Sequence, residues 1–332
     1  MVSRAGYCVW MVNAGNAVVL GLGTVVVDHL LMLPAQPAAD TKVEVLEDHL
    51  QVGGPVPTAL VQLRRLGHYC RFIGGWGDDR FGELIEADFD REGIDRRYSP
   101  PRADRRTGFA HVWVNEATGL RTIAYQRASN PPAPGELPES ALDGVVAVHL
   151  DGYPGPLALE LARRARARGC TVCVDVGSPK PGLSRLLGVC DVVNSPRRSL
   201  LALTGSDDPE IAAGELLTRG PRLVMITDGD RGAWAADAAG VDHLPAFDVG
   251  RAVDTTGAGD SFCGGLIHGV LAGWPRGQML AFAMAAAAIK CRGLGNRDAL
   301  ATPEAIHDLL GEAAAAGPPG AAAKLLPDAC PR

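Results

Sequence analysis

The feature that most restricts the fold of this chain is a regular alternation between short apolar runs and longer amphipathic stretches. The runs are rich in Val and Ile, as in AVVLGLG, CRFIGG, GVVAVHL and TVCVDVG, and stretches such as VPTALVQLRRLG and PLALELARRARARG lie between them. Continuous apolar strands between amphipathic helices are typical of a parallel sheet that is covered on both faces. We therefore predict an α/β fold with a central, mostly parallel sheet flanked by helices.

Two segments, TKVEVLEDHLQV and GFAHVWVNEATGLRTIAYQ, depart from this pattern because their apolar and polar residues alternate one by one. Such alternation indicates a sheet with one face away from the core, and NEATG in the second segment predicts a hairpin turn. We predict a small β-sheet from about residues 31–52 and 104–129, which could act as a lid or as a surface for homodimerisation. The lid would project from a single domain over 17–316, between a short extension at 1–16 and a disordered tail at 317–332.

The composition excludes several classes of function. A net charge of -6 without a long basic run argues against nucleic acid or an acidic membrane surface as a partner. The amino end has no cleavage site or long uncharged span, so we predict a cytoplasmic protein.

Cys170 and Cys173 form a CxxC pair, but their spacing in a strand places them on opposite faces, which predicts buried reduced thiols. The GLGTVV segment lacks the third glycine of a dinucleotide site.

The segment AVDTTGAGDSFCGG places its glycines where a helical pattern begins. The first N–H groups of a helix have no intrahelical acceptor, and small residues allow an anion to approach them. Gly257, Ala258 and Gly259 are therefore candidates for an anion hole around a phosphate. Asp260 follows at once and could accept a proton from a hydroxyl that attacks the phosphorus. The alternative is that Asp254 or Asp260 merely caps the helix.

The same segment closely resembles, in DTTGAGDSF, the carboxy-terminal signature of the ribokinase-like, PfkB carbohydrate kinase family. Further segments resemble the family from about Val18 to Leu310: GLGTVVVDHL, GGPVPTALVQLRRLG, IGGWGDDRFGELIEADFDREGID and VMITDGDRGAW. The resemblance implies a Rossmann-like central sheet with a small β lid, which agrees with the pattern of strands and helices. It also implies an ATP-dependent transfer of phosphate to a sugar hydroxyl.

The resemblance assigns a role to each matching position. It makes Asp260 the catalytic base and Gly257, Ala258 and Gly259 the anion hole. It places four residues around the substrate hydroxyls. These are Asp28, at the end of the opening strand, and Gly53, Gly54 and Thr58. It places five residues near the nucleotide, namely Thr227, Gly229, Thr256, Gly257 and Gly259. The implied phosphoryl donor is ATP with Mg2+, and a monovalent cation such as K+ is an optional addition.

Two departures from the family pattern bear on these roles. Thr58 replaces a common Asn, so it offers a hydroxyl in place of an amide. Pro196 and Ser199 occupy the positions of the family's N-x-x-E, which leaves the metal ligands unassigned. The segment that contains Lys290 and Cys291 resembles ketohexokinase-like and sulfofructose-kinase-like members, and this favours a ketose or related polyol as acceptor.

Two other functions stay open from the sequence. A nucleoside kinase of the same fold would need apolar or aromatic lid residues to stack a base, and Trp113 and Tyr125 are candidates. A catalytically silent regulator that binds a sugar phosphate is compatible with the altered N-x-x-E positions, although the intact Asp260 argues against it.

Overall fold

The computed structural model describes residues 17–316, and the predicted extension at 1–16 and tail at 317–332 lie outside the described residues. In chain order the strands are β1 (Val18–Leu22), β2 (Val26–Leu33), β3 (Glu47–Gly53), β4 (Tyr69–Ile73), β5 (Ile94–Asp95), β6 (Phe109–Asn115), β7 (Arg121–Gln126), β8 (Val145–Leu150), β9 (Thr171–Asp175), β10 (Val192–Pro196), β11 (Leu223–Thr227), β12 (Ala233–Asp237) and β13 (Gly240–Leu244). The helices are α1 (Pro55–Arg65), α2 (Arg80–Glu92), α3 (Gly155–Ala167), α4 (Leu183–Leu187), α5 (Leu200–Thr204), α6 (Pro209–Thr218), α7 (Ala258–Leu271), α8 (Arg276–Lys290) and α9 (Pro303–Ala316).

The large sheet has the strand order β13-β12-β11-β10-β9-β8-β1-β4-β5. The strands from β11 to β5 in this order pair in parallel, and only β12 and β13 pair in the antiparallel sense. The prediction of a central, mostly parallel sheet flanked by helices is therefore confirmed. Since parallel strands end at the same edge, residues that follow β8, β9, β10 and β11 meet along one side of the molecule.

Helices cover both faces of the large sheet, as the continuous apolar strands require. In β1, Val19 packs into a core cluster with residues of α1, α2, α7, α8 and α9. Its neighbour Leu20 points the other way, into a second cluster with residues of α3, α4, α5 and α6. The two thiols of the CxxC pair divide in the same way, because Cys173 joins the first cluster and Cys170 the second. Both are buried and free of disulfides.

Local signals explain where the helices beside the candidate site begin and end. Pro55 occupies the first turn of α1, where its missing N–H costs nothing. The Asp79 side chain caps α2 by accepting a hydrogen bond from the Gly82 N–H at 2.9 Å, and Gly93 ends that helix with a left-handed φ of 69°. None of the helices within residues 17–316 has the length and apolarity needed to cross a bilayer.

The small sheet has the order β3-β2-β6-β7 and includes the predicted hairpin between β6 and β7. The predicted lid segment at about 31–52 differs from the strands in two respects. β2 already starts at Val26, and residues 41–46 are not in a strand. The partners of β3 run only from Val26 to Met32, so residues before Glu47 have almost no backbone opposite them with which to pair.

The position of Asp28 also differs from the prediction. The valine run that precedes it does not belong to the first strand, because β1 stops at Leu22 and residues 23–25 lie outside any strand. Asp28 instead lies inside β2, between Gln51 of β3 and Ala110 of β6. It therefore belongs to the small sheet and not to the large one.

Candidate active site

The glycine-rich segment does form the start of a helix, as the sequence predicts. Gly257 caps α7 in the left-handed region with a φ of 79°, and the Ser261 N–H donates to its carbonyl at 2.8 Å. A Cβ at Gly257 would lie 2.8 Å from Asn296 Cβ, whereas a Cβ at Gly259 would meet no atom within 4 Å. We call residues 254–259 the anion loop. Gly257 is required by backbone conformation and packing, and Gly259 keeps the space before the helix open.

Asp260 lies in the first turn of α7, where it keeps part of its surface accessible. We call the space between Asp260 and the small sheet the cleft. Burial raises the pKa of Asp260 to about 6, and the positive charges of Arg121 and Arg297 oppose that increase. A carboxyl group with such a pKa is ionised at neutral pH yet readily accepts a proton, which suits a general base.

The Asp28 carboxylate approaches Asp260 from the small sheet. Burial raises the pKa of Asp28 to about 7, Arg297 opposes this, and the nearby charge of Asp260 raises the pKa further. Gly53 and Gly54 make room for this carboxylate and for the turn beneath it. A Cβ at Gly53 would overlap the Asp28 carboxylate, and one at Gly54, where φ is 108°, would overlap the carbonyl of Thr24. The structure thus brings Asp28, Gly53, Gly54 and Asp260 together.

Thr58 lies one turn into α1, where its N–H donates to the Gly54 carbonyl at 3.2 Å. Its hydroxyl oxygen accepts a hydrogen bond from Arg297 Nη1 at 3.2 Å, and Arg297 is in turn paired with the buried Asp88, with Nε 3.1 Å from the carboxylate. The shorter side chain at position 58 is therefore compensated by a buried guanidinium from the loop after α8. The Thr58 side chain is buried, with a relative exposure of 0%.

Three residues that the sequence did not single out complete the cleft. Asn296 donates from Nδ2 toward the Asp28 carboxylate at 3.5 Å, and its N–H donates to Gln51 Oε1 at 3.0 Å. Arg121 of β7 donates from Nη1 to the Thr255 hydroxyl at 2.8 Å, which joins the small sheet to the anion loop. These contacts join residues that are 134 to 268 positions apart, and no local sequence pattern predicts them.

Two further aspartates lie at the carboxyl edge of the large sheet. Asp151 follows β8 and accepts hydrogen bonds from the N–H groups of Thr24 at 2.9 Å and Tyr153 at 2.8 Å. Asp175 ends β9, where burial raises its pKa to about 7 and the Asn194 amide donates to it at 2.8 Å. A carboxylate directly after an apolar strand of a parallel sheet is a signal that the sequence did contain.

The predicted nucleotide residues lie farther along the same edge. Thr227 ends β11, opposite Pro196 of β10, and Gly229 follows with a φ of 58°. In the large sheet, β10, β9 and β8 separate β11 from β1. Thr256 is buried, and its N–H donates to Asp254 Oδ1 at 2.8 Å.

Most of the chain matches known proteins of one family. Residues 20–303 match the family model for pfkB family carbohydrate kinases. The chain belongs to the pfkB family. Sugar kinases of this family are phosphotransferases that act on hydroxyl groups. The membership confirms the resemblance inferred from DTTGAGDSF and its companion segments.

The relatives of this pfkB-family chain are named as kinases of different sugars. A fructokinase from Klebsiella pneumoniae is 31% identical over 66% of the chain and 77% of its own length. An ATP-dependent ribose-1-phosphate kinase from Halopiger xanaduensis is 28% identical over 89% of the chain and 98% of its own length. An Arabidopsis thaliana ribokinase, solved with ribose and ATP, superposes with a TM-score of 0.75 at 22% identity, over 88% of the chain and 98% of its own. This last likeness concerns the fold.

The pfkB-family positions that the sequence flagged as altered hold no metal ligand here. Pro196 ends β10, and the buried Ser199 donates its hydroxyl proton to the Gly177 carbonyl at 3.0 Å. Within residues 17–316, no group of three or more His, Cys, Asp and Glu side chains is arranged to hold a metal ion.

Proposed function

We propose that this chain transfers the γ-phosphoryl group of Mg-ATP to a hydroxyl of a sugar, a ketose or related polyol, with Asp260 as general base. The proposal rests mainly on one observation. Asp260 and the anion loop lie within one helical turn of each other, and Asp28 lies opposite them. Family membership supports the reaction class, and the fructokinase relative supports a ketose. The test is a screen for ATP turnover against ketoses, aldoses, sugar acids and nucleosides, in which a nucleoside that outperforms every sugar refutes the proposal.

The proposed steps follow from the positions of the side chains. Asp28 accepts hydrogen bonds from two neighbouring hydroxyls of the sugar, and the Thr58 hydroxyl and Asn296 amide border the same ligand. Asp260 accepts the proton of the attacking hydroxyl, so that the oxygen gains nucleophilicity as it approaches the phosphorus. The N–H groups at the start of α7, beside Gly257, Ala258 and Gly259, stabilise the negative charge on the transferring group.

The residues at the carboxyl edge suit Mg2+ delivered with the nucleotide. Mg2+ prefers oxygen ligands and usually takes only one or two carboxylates in addition to substrate phosphates. Asp175 is a buried carboxylate whose pKa is raised to about 7, so a neighbouring cation would favour its ionised form. Asn194 Oδ1 is buried beside it without a hydrogen-bond partner. When bound, Mg2+ would neutralise charge on the phosphates, and Thr227 and Gly229 would lie beside the nucleotide.

The lid face that looks toward the cleft bears on the choice of acceptor. Strand register places Asp28, Ala110 and Tyr125 on one face of the small sheet, while Trp113 lies on the opposite face. Trp113 is therefore not available to stack a base over Asp28. Tyr125 is exposed on the inner face, and this is the feature that keeps a nucleoside kinase as the second candidate. A cytoplasmic location and homodimerisation through the lid remain predictions.

Replacing Asp28 by Ala is expected to weaken acceptor binding. The sugar hydroxyls would lose their acceptor, which costs about 1–3 kcal/mol, or about 5- to 150-fold in kcat/KM for the sugar. The KM for ATP should change little. Steady-state kinetics with each substrate varied in turn provides the measurement. Asp48→Ala, an exposed aspartate on the same sheet, is the matched control. An effect of Asp28→Ala on ATP alone would contradict the role of Asp28.

The pH dependence of the reaction should report the two carboxyl groups separately. Both must be ionised to act, and a carboxyl group gains its proton as the pH falls through its pKa. We therefore expect kcat to decline below a pH of about 6, where Asp260 protonates, and the sugar KM to rise below a pH of about 7, where Asp28 protonates. Initial rates between these values and one unit beyond them give both profiles. A kcat that stays constant well below pH 6 would exclude Asp260 as the base.

A further inference from the structure

A lysine lies deep inside the protein beneath the anion loop. Lys290 is the last residue of α8, a helix otherwise rich in alanine, and its side chain is 0% exposed. An ammonium group withdrawn from water is strongly destabilising unless oxygens replace its hydration shell. The contacts of this group therefore indicate what it does.

The surroundings of Lys290 Nζ are oxygens from two segments. Nζ donates to the Asp254 carbonyl at 2.6 Å and to the Gly293 carbonyl at 3.2 Å, and it lies 3.6 Å from Asp254 Oδ2. Asp254 is itself 0% exposed, so the two charges are buried together. Burial lowers the pKa of Lys290, and the charge of Asp254 opposes that decrease. Backbone carbonyls together with a carboxylate are also the oxygens that a dehydrated K+ would require.

The two segments that Lys290 joins both border the cleft. The Asp254 carboxylate accepts hydrogen bonds from the Thr256 N–H at 2.8 Å and from the Gly295 N–H at 2.9 Å. Thr256 leads directly into the helix start at Gly257, and Gly295 leads into Asn296, which contacts Asp28. Lys290 and Asp254 thus hold the anion loop and the loop after α8 at a fixed distance from each other.

We propose that the Lys290 ammonium serves as a built-in monovalent cation that positions the anion loop, so that this kinase needs no K+ for activity. Nζ occupies the oxygen set beside the anion loop that K+ would need, and the two cations carry the same charge. The K+ considered from the sequence therefore does not fit this set of residues. Lys290 is a positioning residue that acts through Asp254, and the inference rests on the proposed function only for its kinetic readout.

The first test uses the unaltered chain. Turnover of ATP and sugar is measured in choline, Na+ and K+ chlorides at equal ionic strength, with ATP supplied as a salt free of alkali metal. We expect the same kcat and KM in all three. A wild-type enzyme that needs K+ overturns the proposal.

The second test removes the ammonium. K290A is expected to lose about 10²-fold in kcat in choline chloride, because a displaced anion loop misaligns the phosphate. Addition of NH4+ or K+ should restore most of that loss, since either ion can enter the vacated space. K290M, which fills the space without charge, is the matched control and should show no rescue. Full activity of K290A in choline chloride, or a folded K290A that neither ion rescues, overturns the proposal.

Thermal melting gives a readout that does not depend on turnover. The melting temperature of K290A should rise in K+ or NH4+ relative to choline, while those of wild type and K290M should not. If K290A does not fold, K290S, which is equally short but can hydrogen-bond to the neighbouring oxygens, replaces it in both comparisons. A wild-type chain inactive with every sugar would refute the proposed function, yet the melting comparison would still decide the role of Lys290.

Discussion

Asp260→Asn should fold and bind ATP as the wild type does but lose about 10²- to 10⁴-fold in kcat, the usual contribution of a positioned general base. Asparagine has nearly the same size and shape as aspartate, yet it cannot accept a proton at neutral pH. The raised pKa of Asp260 strengthens this expectation, because the group is poised to take up a proton near pH 6. The measurement is kcat under saturating substrates, together with ATP affinity by calorimetry.

The matched control for this substitution is Asp143→Asn, which changes an exposed aspartate outside the cleft. It should leave kcat unchanged. The acid decline of kcat should also disappear from whatever activity Asp260→Asn retains. If that variant turned over substrate at the wild-type rate, Asp260 would only cap α7, and the proposed mechanism would have to be abandoned.

Gly259→Val is expected to reduce kcat by about 10²-fold or more while the protein stays folded, because a branched side chain would fill the space kept for the phosphate. The structure allows the effect on kcat to be separated from an effect on folding. A Cβ at Gly259 meets no atom within 4 Å, so the free energy of unfolding should change little, and valine is no worse than glycine in a helix. Kinetics and chemical denaturation of the same preparation provide the measurement.

Gly214 of α6 offers a matched control for that experiment. It is exposed, lies in a helix, and its Cβ position is equally empty. Gly214→Val should therefore leave both stability and kcat near their wild-type values. Unchanged ATP kinetics in Gly259→Val would show that the phosphate does not approach this helix start.

The sequence predicted those features that depend on neighbouring residues. The alternation of apolar runs and amphipathic stretches gave the large sheet and its flanking helices, and the glycines before Asp260 gave the start of α7. The break at residues 23–25 escaped prediction, because the valines around it look like part of one continuous strand. As a consequence Asp28 was assigned to the wrong sheet, although its proximity to Asp260 was anticipated.

Residues brought in from distant parts of the chain could not be predicted in the same way. Asn296 reaches Asp28 across 268 positions, and Arg297 reaches Thr58 across 239. These contacts depend on how α8 ends against α1 and the small sheet, which is a property of the tertiary packing. Lys290 stood out in the sequence only through a family resemblance, and its buried oxygen surroundings become visible only in the fold.

The location of Asp28 inside β2 has a consequence for how the enzyme discriminates against water. Backbone pairing on both sides fixes Asp28 within the small sheet, so any displacement of that sheet carries the carboxylate with it. Under the proposed mechanism, a polyol bound to Asp28 would hold the sheet over the anion loop, where Arg121 donates a hydrogen bond to Thr255. A water molecule is too small to hold the sheet in this way. We therefore expect wasteful hydrolysis of ATP to stay slow until an acceptor is in place.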